Sequence, residues 1–124
     1  MLSIVDAMSE VLIDCDDLRT APWKGSPNHL AGHCYVASEA VWWLFENRDW
    51  HPEYIRFPQC THWYLRHRVS GGVLDVTQGQ FLKPPPYETG RGYGFLTILP
   101  SKRAMTLLGR FLHRYSINDI MEIR

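Results

Sequence analysis

The stretch that decides the fold is Leu30-Ala31-Gly32-His33-Cys34-Tyr35-Val36-Ala37-Ser38-Glu39-Ala40-Val41-Trp42-Trp43-Leu44-Phe45. Its larger apolar side chains recur at intervals of three and four residues, the spacing of a helix with a broad buried face. Gly32 lies just before the periodic pattern begins. We therefore predict a helix that opens directly after Gly32 and ends near Asn47.

Cys34 falls in the first turn of this predicted helix. Backbone N–H groups in a first turn lack helical partners, and the helix dipole is positive there, so a thiol at this position is expected to favour the thiolate. The thiolate is the nucleophilic form of cysteine. Position alone therefore makes Cys34 a candidate nucleophile.

The composition is typical of a folded globular protein. The chain has 124 residues, of which 45% are hydrophobic and 21% are charged. This length predicts a single domain over residues 1–124. The 13 basic and 13 acidic side chains cancel, so no overall charge attracts nucleic acid, and we do not expect nucleic acid as a partner.

Several features indicate the compartment. No apolar run approaches the ~20 residues that a membrane span needs, and the first residues carry Asp6 and Glu10 rather than the basic region of a signal peptide. Three cysteines are too few, and odd in number, for a disulfide scaffold. We expect a cytoplasmic protein with no membrane partner and no cofactor.

Two further helices are predicted on either side of the central one. Residues 2–14 have helical apolar spacing, with Ser3 as a candidate N-cap. Residues 101–115 repeat the pattern behind Ser101. The buried stripe that we predict for this last helix comprises Ala104, Leu107, Leu108, Phe111 and Leu112.

The strands are predicted from alternation between apolar and polar residues. A Ser-Gly-Gly turn at 70–72 joins the first two of them into a hairpin. Residues 48–59 are predicted to be loop, apart from one short extended piece at 54–57. The predicted strands are 60–69, 73–77, 95–99 and a short strand within 116–124 around Ile117, Ile120 and Ile123. We therefore predict an α+β fold in which helices pack on a small antiparallel sheet.

Two segments leave alternatives open. Lys102 and Arg103, at the start of the last predicted helix, either remain solvated or bind an anion such as phosphate. The Pro/Gly-rich segment 83–94 is either a surface loop or a flap, in which case Tyr87 and Tyr93 would cover a ligand.

Three residues form a candidate catalytic constellation. Cysteine catalysis needs a thiol, a base that takes and returns its proton, and a group that orients the base. Cys34 begins a helix, His62 lies on a predicted strand and Asp75 on the next strand, where cross-strand pairing can bring the last two together. Secondary candidates that would stabilise an oxyanion or line the site are Asn28, Gln80, Trp63 and His33; Asn28 alternatively caps a turn.

The order of these motifs resembles a known family. A cysteine at a helix start, His62-Trp63 on a strand and Leu74-Asp75-Val76-Thr77 after a glycine turn look like the core of transglutaminase-like cysteine enzymes, within the papain-like group. The resemblance covers residues 32–77. It implies a hydrolase or acyl transferase, similar to a thiol protease, with Cys34 as nucleophile, His62 as base and Asp75 orienting His62. A protein or peptide-like substrate follows from it.

The whole chain is also similar to small uncharacterised proteins of tailed bacteriophages. The similarity lies in Gly32-His33-Cys34-Tyr35, Gln80-Phe81 and Pro100-Ser101-Lys102-Arg103-Ala104. It implies a bacterial host cytoplasm and makes a host protein a candidate partner.

Other interpretations remain open at this point. His33, Cys34, Cys60 and His62 are zinc-ligand types and would make up a tetrahedral site. Alternatively Cys34 is a buried, inert cysteine, since free cysteines are commonly buried. In a third interpretation the chain is a non-catalytic binding module whose cleft holds a small molecule, a nucleotide or a host protein.

Overall fold

The computed structural model describes residues 2–46, 49–92 and 94–120. Within them, the α-helices are α1 (Ile4–Leu12), α2 (Cys34–Leu44) and α3 (Lys102–Arg114), and the strands are β1 (Trp50–Arg56), β2 (Thr61–His67) and β3 (Val73–Leu74). The strands form one antiparallel sheet in the order β1-β2-β3. The protein is therefore α+β, as the sequence predicts. No helix of the described residues is both long and apolar enough to cross a membrane.

The two outer helices begin where the sequence predicts. The Ser3 hydroxyl accepts a hydrogen bond from the Asp6 backbone N–H at 3.1 Å, and the Ser101 hydroxyl accepts from the Ala104 backbone N–H at 3.1 Å. Each bond satisfies an N–H group that the first helical turn leaves without a partner. Serine capping therefore sets the starts of α1 and α3.

The core lies between the three helices and the sheet. Leu112, predicted to lie in the stripe of α3, is instead 48% exposed. Members of the core that are less than 2% exposed include Ile4, Met8, Leu12, Val36, Ala40, Leu65, Leu107, Phe111 and Ile120.

Strand β1 confirms most of the extended piece predicted at 54–57 and corrects the prediction of a loop before it, because it begins already at Trp50. It pairs with β2 along its whole length, from Trp50 opposite His67 to Arg56 opposite Thr61. Pro52 obscures it in the sequence, because a proline lowers the expectation of a strand. β1 is the outer strand of the sheet, where a residue without an N–H group is tolerated.

Strand β3 is shorter than predicted. It comprises only Val73 and Leu74, which pair with Arg66 and Leu65 of β2. Asp75 therefore follows the strand instead of lying within it. The Ser-Gly-Gly turn joins the two strands as predicted, with Gly71 at a φ of +75°, a conformation that glycine adopts without strain.

The predicted strand over residues 95–99 is wrong. Residues 95–99 have no strand structure, and Leu96, Ile98 and Leu99 are 82%, 93% and 73% exposed. In the tail, Ile120 makes a single parallel bridge to Leu2, after one turn of 3-10 helix at Ile117–Asp119. Ile123 lies outside the described residues.

The loop that leads into α2 is held by a buried arginine. Arg19 is 5% exposed, and its guanidinium donates to the backbone carbonyls of Trp23, Ser26 and Asn28. It also pairs with Asp16 at 2.8 Å. A planar guanidinium with several fixed donors can bind several carbonyls at once. Arg19 therefore fixes the conformation of the loop that precedes Cys34.

Candidate active site

Cys34 lies at an open edge of strand β2. Because β3 pairs only with Leu65 and Arg66, the first residues of β2 have no strand beside them on that edge within the described parts of the chain. The start of α2 is placed there, and the Cys34 thiol donates a hydrogen bond to the Thr61 carbonyl at 3.5 Å. The shortness of β3 thus makes room for the thiol.

A cavity of about 440 Å³ opens at this edge. It is lined by three consecutive residues of β2, Thr61, His62 and Trp63, and by Cys34. Consecutive side chains of a strand point to opposite faces, so a cavity that contacts all three lies at the edge of the strand. Cys34 and His62 therefore both line this cavity.

His62 is bound to Asp75. The distance from His62 Nε2 to Asp75 Oδ2 is 2.6 Å, and both side chains are 1% exposed. An ionised carboxylate only accepts hydrogen bonds, so Nε2 carries the proton and donates it to Asp75. In the neutral imidazole this leaves the lone pair on Nδ1.

Gln80 lies on the Nδ1 side of the ring. Its Nε2 is 3.5 Å from His62 Nδ1 and donates to the Thr77 hydroxyl at 3.0 Å. Gln80 also lines the cavity that holds Cys34. A side-chain amide donor is therefore placed beside the basic nitrogen of His62.

Asp75 is fixed by two further donors that the sequence analysis missed. The Thr77 backbone N–H donates to Oδ1 at 3.2 Å, and the Tyr87 hydroxyl donates to Oδ2 at 2.7 Å. Burial, reinforced by the bond to Asp75, raises the pKa of Tyr87. The sequence predicts Tyr87 as a cover for a ligand and gives no indication of a bond to Asp75. Its one sequence signal is that it follows three prolines, which orient the chain rigidly.

The electrostatics of Cys34 differ from the prediction. Burial raises the pKa of the Cys34 thiol to about 11, with further increases from Cys60 and Asp75, while the backbone N–H groups of Trp63 and Tyr35 act in the other direction. Two pKa units above the ordinary value of 9.0 correspond to about 3 kcal/mol. The helix dipole contributes about 0.3–1 kcal/mol, so burial outweighs it and the predicted preference for thiolate is wrong.

The resting thiol is not bonded to the imidazole. Among the described residues, the hydrogen bond of Cys34 goes to Thr61, and none joins Cys34 to His62. A hydrogen bond from Cys34 to His62 would therefore require the thiol to leave the Thr61 carbonyl.

Of the secondary candidates, Trp63 and Gln80 line the cavity and Asn28 does not. The Asn28 side-chain carbonyl accepts from the Leu30 backbone N–H at 3.1 Å, which is a turn cap. The predicted oxyanion role of Asn28 is thus corrected to the alternative role of turn cap.

His33 is also not part of the cavity wall. It is completely buried, with Nδ1 at 2.7 Å from the His29 carbonyl and Nε2 at 2.8 Å from the Cys15 carbonyl. Burial lowers its pKa. Both ring nitrogens are engaged by backbone, so His33 ties the loop before α2 to the end of α1 and is not available to a substrate.

The proposed zinc ligands do not converge. Within residues 2–46, 49–92 and 94–120, no three His, Cys, Asp or Glu side chains are arranged to hold a metal ion. His33 explains this for the predicted set, because its ring nitrogens face the carbonyls of His29 and Cys15.

The start of α3 already has an anion of its own. The carboxylate of Glu39, a 1% exposed residue of α2, accepts from the Ser101 backbone N–H at 2.7 Å and from the Ser101 hydroxyl at 2.8 Å. A negative charge at this position stabilises the positive end of the helix dipole.

Tyr93, which the sequence also predicts as a cover for a ligand, lies outside the described residues.

Comparisons with models of known protein families, with curated proteins and with solved structures found no match. A function for this chain is therefore inferred from its own site.

Proposed function

We propose that the protein is a cysteine-dependent hydrolase or acyl transferase with a transglutaminase-like, papain-like core, acting on an amide, isopeptide or thioester bond. One observation carries the proposal. A buried His62, bound through Nε2 to Asp75 at 2.6 Å, lines the same cavity as Cys34. An oriented base beside a thiol is the arrangement that cysteine catalysis needs.

In the proposed reaction, His62 Nδ1 takes the thiol proton as the Cys34 sulfur attacks the carbonyl carbon of the substrate. The carbonyl π electrons move to oxygen, where the Cys34 backbone N–H and the Gln80 amide are the candidate donors. As the intermediate collapses, the leaving group departs with the proton from His62, and a thioester on Cys34 remains. Water or an acceptor amine, deprotonated by Nδ1, then releases the acyl group and regenerates the thiol.

His62 is needed in this mechanism because the pKa of the Cys34 thiol is raised. A thiol with a pKa of about 11 is protonated at neutral pH, so a base must remove its proton during the attack. Asp75 stabilises the imidazolium that forms and holds the ring with Nδ1 toward the cavity.

The test is the rate of alkylation of each cysteine by iodoacetamide as a function of pH, followed by mass spectrometry. We expect Cys34 to be alkylated at neutral pH, well below the pKa of about 11 of its thiol, because His62 takes the proton during the attack. His62→Ala should remove that reactivity. His113→Ala, a change at an exposed histidine of α3, is the matched control and should leave it unchanged. An equally slow reaction of Cys34 in wild type and His62→Ala would refute the proposal.

A second candidate is a non-catalytic module that uses the same cavity to hold a small molecule, a nucleotide or a host protein. The observation in its favour is the thiol itself, which is protonated and bonded to the Thr61 carbonyl. A Cys34 that reacts no faster than free cysteine would support this candidate.

The setting of the activity is also a proposal. We infer a phage-encoded protein of the bacterial host cytoplasm, with a protein or peptide-like substrate that includes host proteins. The support is the similarity of three sequence stretches to small proteins of tailed phages. Location of an epitope-tagged chain after infection of a host is the direct test.

A further inference from the structure

Arg103 provides a positive charge at the cavity that holds Cys34. It lies in the first turn of α3, is half-buried, and lines the cavity together with Cys34 and His62. Its Nη1 donates to the Leu18 carbonyl at 2.8 Å. That bond fixes the position of the guanidinium and leaves its other N–H groups available.

Arg103 has no direct carboxylate partner among the described residues. Neither an ion pair nor a hydrogen bond joins it to a carboxylate in these parts of the chain. Glu39, the acid at the start of α3, is occupied by the backbone N–H and hydroxyl of Ser101. A half-buried cation that contacts no carboxylate favours an anionic ligand.

The remaining cavity wall is mostly aromatic and apolar. Its large side chains are Trp23, Tyr35, Trp63 and Leu96, and no Asp or Glu is among the residues that line it. Tyr35 and Trp63 meet edge to face at 4.9 Å between ring centres, which fixes their orientation. Such a wall suits an apolar or aromatic group and brings no carboxylate into direct contact with a bound anion.

We propose that the substrate is an acyl donor with an apolar body and a carboxylate, and that Arg103 is the specificity-determining residue that binds the carboxylate. The proposal rests on the proposed function, because it places the reacting carbonyl at Cys34. It deepens that function by naming the chemistry of the acyl group.

The test uses pairs of maleimides that label Cys34. Each pair consists of a maleimide carrying a carboxylate on a spacer and its neutral primary amide, and the series covers spacers of one, two and three methylene groups. The measured quantity is the ratio of the anionic to the neutral labelling rate at Cys34, divided by the same ratio for N-acetylcysteinamide.

In wild type we expect this ratio to exceed unity by about fivefold at the best spacer length, and to fall as salt rises. Arg103→Gln should bring the ratio back to unity, while Arg103→Lys should retain part of it. Lys102→Gln is the matched control: Lys102 is the exposed neighbouring cation, is not part of the cavity wall, and its loss should leave the ratio unchanged.

Two outcomes would contradict the proposed role of Arg103. One is an equal labelling ratio in wild type and Arg103→Gln. The other is an equal decrease of the ratio in Lys102→Gln and Arg103→Gln, which would indicate a general electrostatic effect of nearby positive charges. Cys15 is fully buried, so labelling of Cys15 reports unfolding of any variant. If Arg103→Gln does not fold, the ratio is compared between wild type and Arg103→Lys instead. Both labelling rates in a ratio are measured at the Cys34 thiol, so the ratio does not depend on how fast this thiol reacts. The ratio therefore reports on Arg103 even if Cys34 reacts slowly and without help from His62. Slow reaction of this kind would refute the proposed catalysis but not the role of Arg103.

Discussion

The Tyr87 hydroxyl donates to Asp75 Oδ2 at 2.7 Å, the same oxygen that accepts from His62 Nε2 at 2.6 Å. Tyr87 therefore orients the carboxylate that orients the imidazole. We predict that Tyr87→Phe lowers the free energy of unfolding by about 1–2 kcal/mol, because a buried carboxylate loses a donor. It should also slow the alkylation of Cys34 at neutral pH, since the ring of His62 is held less firmly.

Tyr54→Phe is the control for this change. Tyr54 lies on β1 and packs against Trp63 at 5.1 Å between ring centres, and its hydroxyl makes no hydrogen bond with a described residue. In Tyr54→Phe, the free energy of unfolding and the rate of Cys34 alkylation should both stay near wild type. Urea unfolding measures the first, and mass spectrometry of the labelled peptide measures the second. Equal effects of the two variants would show that Tyr87 acts only through packing.

Asp75→Asn tests the orienting role of the carboxylate. The substitution keeps the size of the side chain and removes the charge that stabilises an imidazolium on His62. We expect the alkylation of Cys34 at neutral pH to fall at least tenfold, with a loss of stability of about 1–3 kcal/mol from the altered hydrogen bonds. Asp14→Asn, at an exposed aspartate after α1, is the control and should change neither the alkylation rate nor the stability. If Cys34 in Asp75→Asn is alkylated as fast as in wild type, Asp75 has no role in the mechanism.

Gly32 is required by the approach of Trp23 to the start of α2. Its φ is +82°, and a Cβ at this position would lie 2.5 Å from the Trp23 Cβ. We predict that Gly32→Ala costs about 3 kcal/mol or more, because the left-handed backbone and the clash both add to the cost. The clash should also displace Trp23 from the cavity wall and alter the reactivity of Cys34.

Gly25→Ala is a closely matched control. Gly25 has a φ of +81°, and a Cβ there would meet nothing within 4 Å. Gly25→Ala should therefore lower the free energy of unfolding by only about 1 kcal/mol, the cost of the left-handed backbone conformation. Urea midpoints of the two variants measure the difference, and equal losses would mean that Trp23 yields without cost.

The raised pKa of the Cys34 thiol predicts a loss of stability at alkaline pH. Its pKa is about 11 in the folded protein, against an ordinary value of 9.0. The unfolded chain therefore gives up this proton first, and the free energy of unfolding falls as pH rises from 9 through 11, by at most about 3 kcal/mol.

The measurement is the difference in unfolding free energy between wild type and Cys34→Ser at pH 8 and at pH 10.5. Serine does not titrate in this range, so the difference isolates the thiol. Burial also raises the pKa values of Tyr64 and Tyr87, and these contributions cancel because both proteins contain them. A difference that does not change with pH would show that Cys34 ionises at its ordinary value.

Several features of the fold follow from local sequence. Ser3 and Ser101 cap the helices whose starts they predict, and apolar spacing places α1, α2 and α3. Strand β2 follows from its alternation, because one row of its side chains faces the core. These elements are predictable since their signals lie within one or two turns of the chain.

Contacts between distant residues account for the features that the sequence did not predict. β1 is a strand despite Pro52, because it pairs along the full length of β2 at the sheet edge. Residues 95–99 have the composition of a strand but no strand to pair with in the described residues, so Leu96, Ile98 and Leu99 remain exposed. Strand formation needs a partner that composition does not identify.

The same division holds at the candidate site. The sequence by itself determined which residue types are present: a cysteine at a helix start, a histidine on a strand and an aspartate after a glycine turn. Only the tertiary structure decided that His62 and Asp75 meet, that Tyr87 completes their hydrogen bonds, and that Asn28 and His33 point elsewhere. It also reversed the expected ionisation of Cys34, because a pKa depends on burial, and burial is set by elements far apart in the chain.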